Sequence, residues 1–389
     1  MKRVRTGLDE LLARPSRLKG ARVGLIANPT AVTRDLTHAA LHLKELRGAN
    51  LVALFGLEHG VFANAQDLEE VGDARDPKTK LRVHSLYGST RIPTAGMLKG
   101  IDVLVFDVQD VGSRYYTFIY TMLYAMRACA AHGVRLMVLD RPNPIGGERV
   151  QGNLLDPRFL SFVGMHPLAV RHGMTVGELA MMFAHELDLS LEMDVVPMRG
   201  YRRAMDFEDT GLPWVLPSPN MPTVDTAYVY PGGCLIEGTN LSEGRGTTRP
   251  FHFVGAPWLD PWKLADDLEA ADLGGLSFRP CYFTPTFQKH AGVVCGGVEV
   301  HITDRRKVDA FLAYLVIIEK ARAQNRRKFA WRKPPYEYEF VKPPIDILCG
   351  TSDVREAIEA GRSVMRFRGR FESEARAFDV CRQPYLMYA

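Results

Sequence analysis

Features that often identify a protein class are scarce in this chain of 389 residues. Its six cysteines are scattered without a CxxC pair, so the sequence gives no sign of a disulfide framework or a redox motif. No run of about 18 apolar residues occurs, and we therefore expect no membrane span. The 49 basic and 45 acidic residues leave a net charge of +4. Because this net charge is small and no cluster of basic residues occurs, the sequence argues against a nucleic-acid partner.

The first twenty residues lack the apolar segment that follows the basic residues of a secretory signal. We therefore expect a cytoplasmic location for the chain as it stands. A periplasmic or secreted protein whose signal had been removed would show the same start, so that alternative stays open.

Several nucleotide-binding and hydrolase motifs are also missing. No GxGxxG follows the first predicted strand and no GxxxxGK[ST] occurs, so dinucleotide and P-loop nucleotide binding have no support. The chain has neither the GxSxG of a serine hydrolase nor the HExxH of a zinc protease. We therefore expect no cofactor and no metal ion, and carboxylate chemistry is the option that the sequence supplies best.

Apolar, β-branched runs alternate with helical patterns through the first half of the chain. The predicted strands lie at residues 22–27, 51–55, 83–87, 101–107 and 135–139, and the predicted helices at residues 37–47, 118–132 and 175–187. Strands that are apolar throughout are typical of parallel strands covered on both faces. We therefore predict an α/β fold, with a Rossmann-like open, mainly parallel sheet and helices on both faces.

The pattern changes in the last third of the chain. Residues from about 210 to 255 are rich in Pro, Gly, Asn and Thr, and β-rich segments at 281–288 and 292–303 then precede a helix near 307–324. We predict a smaller C-terminal α+β domain here. In this division residues 1–250 form the catalytic domain and residues 251–389 an auxiliary one.

Polar residues flanked by glycine or proline follow four of the predicted strands. Ligands of an open parallel sheet bind beyond the carboxyl ends of the strands, where the loops meet. Acidic side chains at three of these edges therefore predict a binding site. The residues expected to contact a ligand there are Asn28, His59, Asp107, Gln109, Arg114 and Asn143.

Glu58 is the foremost candidate for a catalytic group. It follows an apolar strand and lies between Gly56 and Gly60, which allow the backbone to approach a ligand closely. Its neighbours Phe55 and Leu57 provide an apolar setting, which favours the protonated carboxyl of a general acid. The alternative is a loop carboxylate that caps the next helix.

Asp107 and Asp110 lie three residues apart at the end of the most apolar strand. Paired carboxylates could hold a metal ion, orient a water molecule or supply a second catalytic group. An ion pair with Arg114 or Arg141 is an equally good interpretation.

The segment 237–251, EGTNLSEGRGTTRPF, is the densest polar stretch of the chain. Its glycines suit a loop wrapped around a ligand, and an ordered connector between domains is the alternative. The side chains that could bind sugar hydroxyls and an anionic substituent are Asn240, Glu243, Arg245 and Thr247. His172 is a weaker candidate, because a structural histidine fits its position before a helix equally well.

Six blocks of the sequence together resemble a known family. They are FGLEHGVF, FDVQDVGSRYYTF, LDRPNPIGG, FVGMHPLAVRHGMTVGELA, EGTNLSEGRGTTRPF and GVEVHITDR. In these blocks the chain is similar to the NamZ-type exo-β-N-acetylmuramidases, glycoside hydrolase family 171. The similarity extends from about Arg22 to the C-terminus, and the blocks EHG, DVQDVG and SEGRGTTRPF are specific in combination.

The resemblance implies a Rossmann-like domain that holds the active cleft and a C-terminal auxiliary domain. It also implies release of N-acetylmuramic acid from the non-reducing ends of peptidoglycan fragments, so peptidoglycan-derived saccharides are the expected partners. Glu58 matches the glutamate expected to be catalytic. Asp110, Tyr116 and Glu243 lie in matching blocks and are the candidates for its catalytic partner. Members of the family are usually secreted, which differs from the location expected above.

For the reaction, we expect Glu58 to protonate the leaving oxygen, with Asp110 or Glu243 as base or electrostatic stabiliser and Tyr116 orienting the water. The acetamido group of the substrate could act as nucleophile instead. The lactyl carboxylate of muramic acid calls for a bidentate cation, supplied by Arg245 or Arg114. Two other functions stay open: hydrolysis of another amino-sugar glycoside, and binding of peptidoglycan without cleavage. The sequence leaves the stereochemical outcome and the oligomeric state undecided.

Overall fold

The computed structural model describes residues 3–58, 60, 74–88 and 90–389. Within these ranges the strands form a large central sheet and two smaller sheets. In chain order the strands are β1 (Arg22–Ala27), β2 (Asn50–Gly56), β3 (Ala74–Arg75), β4 (Arg82–Ser85), β5 (Val103–Asp107), β6 (Arg135–Leu139), β7 (Gln151–Leu154), β8 (Ala169–Arg171), β9 (Met193–Val196), β10 (Phe253–Ala256), β11 (Leu276–Phe283) and β12 (Cys295–Ile302).

Helices connect and cover these strands. The α-helices in the same ranges are α1 (Gly7–Ala13), α2 (Ala39–Glu45), α3 (Ala95–Leu98), α4 (Phe118–His132), α5 (Val176–Glu186), α6 (Val224–Gly233), α7 (Pro261–Glu269), α8 (Ala310–Gln324), α9 (Pro344–Cys349), α10 (Asp353–Glu359) and α11 (Arg368–Arg382). In the part of the chain that the structure describes, no helix has both the length and the apolar character needed to cross a membrane.

The central sheet has seven strands in the order β3-β4-β2-β1-β5-β6-β9. Neighbouring strands are parallel throughout, except that β3 and β4 are antiparallel. The mainly parallel sheet predicted from the sequence is therefore confirmed. The five predicted strands correspond to β1, β2, β4, β5 and β6, and their ends differ by at most two residues.

Both faces of this sheet are buried, as continuous apolar strands require. Along β5, Val103 and Val105 contact the cluster that also contains residues of α1 and α2. Leu104 and Phe106 alternate with them and contact the opposite cluster, which includes α4 and α5. Since side chains of a strand alternate between faces, the same five-residue run packs against helices on both sides.

Two helices of the first part begin or end at residues that suit those positions. Thr175 and Glu178 form a capping box at the start of α5, which satisfies backbone N–H groups that the helix itself leaves free. Gly133 ends α4 with φ of +65°, a conformation that disfavours other residues. Both helices therefore agree with the sequence prediction to within about a turn.

The last third of the chain contains an antiparallel sheet of order β10-β12-β11, covered by α7, against which α8 packs. This confirms the predicted smaller α+β part. The strand expected at residues 281–288 is wrong by five residues, since β11 spans Leu276–Phe283. Arg279 and Pro280 interrupt the apolar pattern there, and an edge strand accepts both because one of its sides is unpaired.

Helix α6 lies in a stretch for which the sequence suggested irregular structure. It is buried nearly throughout and contains Pro231. One hydrophobic cluster joins it to the central sheet, and Phe106, Tyr230, Val254 and Ile317 all belong to that cluster. The core is thus continuous across residue 250, and the division into domains 1–250 and 251–389 stays a prediction.

Candidate active site

A cavity lies beyond the carboxyl ends of β2 and β5, at the edge where the sequence predicted a site. Its volume is about 40 Å³, counted as the space that the centre of a water molecule can occupy. The space free of atoms beside the same residues, open solvent included, is about 460 Å³. The cavity is lined by Glu58, Tyr115, Tyr116, Thr117, Val163, Ser218, Asn220, Tyr230, Glu237, Arg245, Phe251, Tyr336 and Glu337. We refer to it as the glutamate cavity, because three glutamates face it.

Glu58 lies two residues beyond β2 and is 7% exposed. Thr117 donates a hydrogen bond from its hydroxyl to Glu58 Oε2. Thr117 immediately precedes α4, so the carboxyl is held beside the N-terminus of a 15-residue helix. Gly60 then turns the chain with φ of +78°. His59, predicted to bind substrate, lies outside the described residues.

Two further glutamates of the cavity were not singled out from the sequence. Glu237 accepts hydrogen bonds from Arg245 Nη2 at 2.8 Å and Tyr336 Oη at 2.7 Å. Glu337 accepts one from Tyr87 Oη at 3.2 Å. The available signal for Glu237 was its place at the start of the dense polar segment, whereas nothing in the sequence connects Glu337 to the sheet edge.

Arg245 lines the cavity, as predicted, and is held between two carboxylates. Its Nη2 contacts Glu237, and its Nε lies 3.2 Å from Glu243 Oε1. Glu243 also contacts Lys289 Nζ at 2.9 Å. Burial alone would raise the pKa of Glu243, but Lys289 and Arg245 together hold it below its ordinary value. Glu243 is therefore an ionised residue that supports Arg245 and does not itself line the cavity.

Tyr116 lines the cavity as well. Its ring contacts Phe118 and Tyr230 edge-on, with centroid distances of 4.5 and 5.5 Å. Burial raises the pKa of Tyr116 well above its ordinary value, so the phenol keeps its proton. Tyr116 is therefore a neutral phenol among the residues that line the cavity with Glu58.

Asp110, predicted as a catalytic group, does not line the cavity. Its Oδ2 accepts a hydrogen bond from Gly112 N at 2.7 Å and lies 3.4 Å from His172 Nε2. His172 is completely buried, and its Nδ1 accepts a hydrogen bond from Met174 N. The two residues form a buried pair that holds the turn leading to Tyr116, so their places in the fold are structural.

Arg114 is likewise fully buried and away from the cavity. It donates hydrogen bonds to the carbonyl oxygens of Asn153, Leu168 and Leu348 at 2.8–3.0 Å. These three acceptors come from separate segments of the chain, and Arg114 links them. In this place it cannot reach a lactyl carboxylate in the glutamate cavity.

The remaining predicted binding residues also have partners within the fold. Asp107 forms a buried ion pair with Arg141, at 2.5 Å from Nε, which was one of the two interpretations. The others bond to neighbouring backbone or side chains: Asn28 to Thr30 and Pro217, Gln109 to Asp110 and Pro142, Asn143 to Met174 and Ile145, Asn240 to Lys328 and Ala330, and Thr247 to Gly244. They shape the loops around the cavity, and none of them lines it.

A larger cavity of about 490 Å³ lies elsewhere, beside β7 and α11. Among the described residues its lining has four cations and four anions, Arg149, Lys307, Arg368 and Arg376 against Glu148, Asp309, Glu372 and Asp379. Glu148 and Arg149 end the loop that follows β6, but most of the other lining residues lie in the last third of the chain. The cavity's balanced charge and single aromatic residue give no defined chemistry, so we place the candidate site in the glutamate cavity.

Two family models together match nearly the whole chain. The model described as exo-beta-N-acetylmuramidase NamZ, N-terminal, matches residues 23–225. The corresponding C-terminal model matches residues 228–388. The chain belongs to the NamZ family. Glu58 and Tyr116 lie in the region matched by the first model, and Glu237, Arg245 and Glu337 in the region matched by the second, so both regions of this NamZ family member contribute to the cavity.

Similar proteins agree with this membership. A Bacillus subtilis (strain 168) protein named peptidoglycan beta-N-acetylmuramidase NamZ is 46% identical over 388 residues, which make up 99% of this chain and 92% of that protein. Two DUF1343 family proteins from Bacteroides fragilis NCTC 9343 have solved structures of the same fold. The first structure has a TM-score of 0.90 and 35% sequence identity, and the match covers 100% of both chains. The second has a TM-score of 0.78 and 30% sequence identity, and the match covers 99% of both chains.

These likenesses confirm the resemblance to the NamZ family and the fold class that the sequence predicted. Membership also makes the chain one of a family of glycosidases. The roles of individual site residues, the absence of a cofactor and the cytoplasmic location stay predictions.

Proposed function

We propose that this protein is an exo-acting β-N-acetylmuramidase that releases N-acetylmuramic acid from the non-reducing ends of peptidoglycan fragments, and that the glutamate cavity is its active site. The observation that carries the assignment to this cavity is the meeting of Glu58, Glu237 and Arg245 in one partly enclosed space. These residues come from two separate segments of the chain, the loop after β2 and the segment 237–251. Membership of the NamZ family and the name of the Bacillus subtilis relative support the reaction and the substrate.

In this proposal Glu58 is the general acid. Cleavage of a glycosidic bond requires a proton on the leaving oxygen, and a carboxyl group held in a partly enclosed cavity can supply it. The hydroxyl of Thr117 fixes Glu58 Oε2. The other carboxyl oxygen is then the one available to the substrate.

Glu237 is the group that stabilises the positive charge developing at the anomeric carbon. Arg245 and Tyr336 hold its two carboxylate oxygens, so its position is defined before the substrate binds. This replaces Asp110 and Glu243, which the sequence favoured, because neither of those lines the cavity. Tyr116 donates its hydroxyl proton in a hydrogen bond to a water molecule or to a sugar oxygen.

Arg245 acts as a positioning residue for Glu237 in this scheme. The sequence suggested that it binds the lactyl carboxylate of muramic acid. In the structure Glu237 and Glu243 both contact its guanidinium, so its charge is already matched. Binding of the lactyl carboxylate by Arg245 stays a prediction. Enzyme kinetics can distinguish this role from the positioning of Glu237.

Substitution of Glu58 by Gln tests the acid role. We expect kcat on a MurNAc–GlcNAc disaccharide to fall by about 10²–10⁴-fold, the range that general acids contribute. A nitrophenyl N-acetylmuramide has a leaving group that needs little protonation, so its turnover is expected to fall much less. Steady-state rates on the two substrates give the comparison.

Glu356→Gln is the matched control, since Glu356 lies on α10, outside the glutamate cavity, and is expected to change neither rate. Equal losses on both substrates for Glu58→Gln would mean that Glu58 does not protonate the leaving group. A wild-type protein that binds the disaccharide without shortening it would overturn the enzymatic function itself, in favour of a binding module.

Fractionation of cells that express the full gene product would test the expected cytoplasmic location.

A further inference from the structure

A second cavity, open to solvent and about 370 Å³ in volume, lies next to the glutamate cavity. Its wall contains three aromatic residues, two cations and two carboxylates, namely Tyr124, Phe162, Tyr338, Arg91, Arg127, Glu337 and Glu339. We call it the aromatic groove. The reaction proposed above assigns no role to it.

The aromatic groove adjoins the glutamate cavity. Glu337 lines both of them. On a second segment, Phe162 lines the groove while the next residue, Val163, lines the cavity. The groove therefore begins within one residue of the cavity on two separate segments, and a ligand longer than one sugar would enter it.

The aromatic rings of the groove are held in a fixed arrangement. Tyr124 and Phe162 stack with centroids 5.8 Å apart and an interplanar angle of 8°. Tyr338 meets Phe162 edge-on at 6.0 Å, and the Arg91 guanidinium lies 3.7 Å from the centre of the Tyr338 ring. Rings with polar edges and nearby charged groups suit a ligand that has one apolar face and several hydroxyls, as a pyranose has.

The turn that carries Glu337 and Tyr338 supports a role for their side chains. Tyr336 and Glu339 exchange both backbone hydrogen bonds at 2.9 Å, which leaves a two-residue hairpin loop. Both loop residues have positive φ, +45° for Glu337 and +63° for Tyr338. Asn and Gly are the usual residues there, because other side chains are strained in this conformation. The backbone conformation therefore does not explain why a glutamate and a tyrosine occupy these two positions. Glu337 lines both the cavity and the groove, and Tyr338 lines the groove.

We propose that the aromatic groove binds the leaving-group side of the glycan, with an uncharged N-acetylhexosamine on the Tyr124, Phe162 and Tyr338 rings. The proposal rests on the function proposed above, in which the glutamate cavity holds the terminal muramic acid. Glu337, at the junction of the two spaces, then lies beside the scissile bond. The groove would thus make the enzyme favour a sugar over a small leaving group.

A ratio of two specificity constants tests this proposal. We compare kcat/KM for the MurNAc–GlcNAc disaccharide with kcat/KM for N-acetylmuramyl fluoride, whose leaving group is too small to reach the groove. Tyr124→Ala is expected to lower this ratio about tenfold, since one ring contact is lost. Tyr124→Phe keeps the ring and is expected to keep the ratio. Tyr338→Ala, in the hairpin loop, gives a second measurement should Tyr124→Ala fail to fold.

Phe340→Ala is the control for removal of an aromatic side chain, because Phe340 is 71% exposed and lines neither space. An unchanged ratio for both Tyr124→Ala and Tyr338→Ala, or equal losses on both substrates, would overturn the groove proposal. If the wild-type protein still hydrolyses the fluoride in that case, the groove proposal fails but the proposed function does not. Failure of the wild-type protein to hydrolyse either substrate would refute the function and the groove together.

Discussion

At the scale of residues, the candidate site depends on ion pairs within the segment 237–251 and on one pair with the distant Lys289. Glu237, Arg245, Glu243 and Lys289 form a chain of alternating charges that is almost entirely buried. Buried charges are stable only when they are paired, so removal of one member leaves another uncompensated. The chain of charges therefore fixes Glu237 in the cavity.

Substitution of Arg245 by Lys separates two roles for this residue. A lysine ammonium cannot hold Glu237 and Glu243 in the geometry of a guanidinium fork. If Arg245 positions Glu237, we expect kcat on the disaccharide to fall about tenfold while KM changes little, because the lost interaction acts in the transition state. Arg279→Lys is the control, since Arg279 is exposed and pairs with Glu299 outside the glutamate cavity. A higher KM with unchanged kcat would instead favour direct binding of the lactyl carboxylate.

At the scale of elements, helices α6 and α8 pack closely enough to require glycine. A Cβ atom on Gly232 of α6 would lie 2.0 Å from the carbonyl oxygen of Ala310, at the start of α8. That oxygen belongs to the backbone and cannot move aside cheaply. The close approach brings Cys234–Gly238, and with it Glu237, against the core.

Gly232→Ala is therefore expected to destabilise the protein by about 1–3 kcal/mol, the usual cost of overpacking a core. Urea unfolding measures this free energy. Gly369→Ala is the matched control, since Gly369 is also helical and a Cβ there meets no atom within 4 Å. The control is expected to be neutral or up to about 1 kcal/mol more stable. Equal effects of the two substitutions would contradict the packing argument.

At the scale of the whole molecule, Asp140 joins three distant parts of the chain. Its Oδ1 accepts hydrogen bonds from Arg141 N and Gly177 N, and its Oδ2 accepts them from the hydroxyls of Thr175 and Tyr388. The end of β6, the start of α5 and the C-terminal tail therefore meet at one carboxyl. Burial raises the pKa of Asp140 to about 7, against the hydrogen bonds that lower it.

A dependence of stability on pH follows from this raised pKa. The folded protein keeps the Asp140 proton up to about pH 7, whereas the unfolded chain releases it near pH 4. Between these values the unfolded state binds fewer protons, so this group makes the fold less stable as pH rises. The Asp140→Asn variant lacks this pH dependence, because an asparagine side chain does not titrate. The amide also fits the site, because the hydroxyls of Thr175 and Tyr388 can accept a hydrogen bond as well as donate one.

We expect Asp140→Asn to gain stability relative to the wild type when the pH is raised from 5 to 7. Urea unfolding at the two pH values measures the change. Asp260→Asn is the control, since Asp260 caps α7 at the surface and has no comparable burial. A constant difference between variant and wild type across this range would contradict the role of Asp140.

Sequence alone determined the central sheet, and it predicted a site at the edge where the structure has the glutamate cavity. Strands β1, β2, β5 and β6 are recognisable because both sheet faces are buried, which makes each strand a continuous apolar run. Glu58 was identified for the same local reason, as a carboxyl that follows such a run. Its surroundings, including Thr117, depend on how β2 and α4 lie next to each other.

Only the tertiary structure decided which carboxylates share the cavity with Glu58. The sequence favoured Asp110 and Glu243 as partners of Glu58, but the fold pairs these two with His172 and Lys289 outside the cavity, which Glu237 and Glu337 line instead. The partner of a buried charge is set by the packing of distant segments, about which the spacing along the chain carries no information. The same holds for α6, whose Pro and Gly residues disfavour a helix locally and whose burial against α8 favours it.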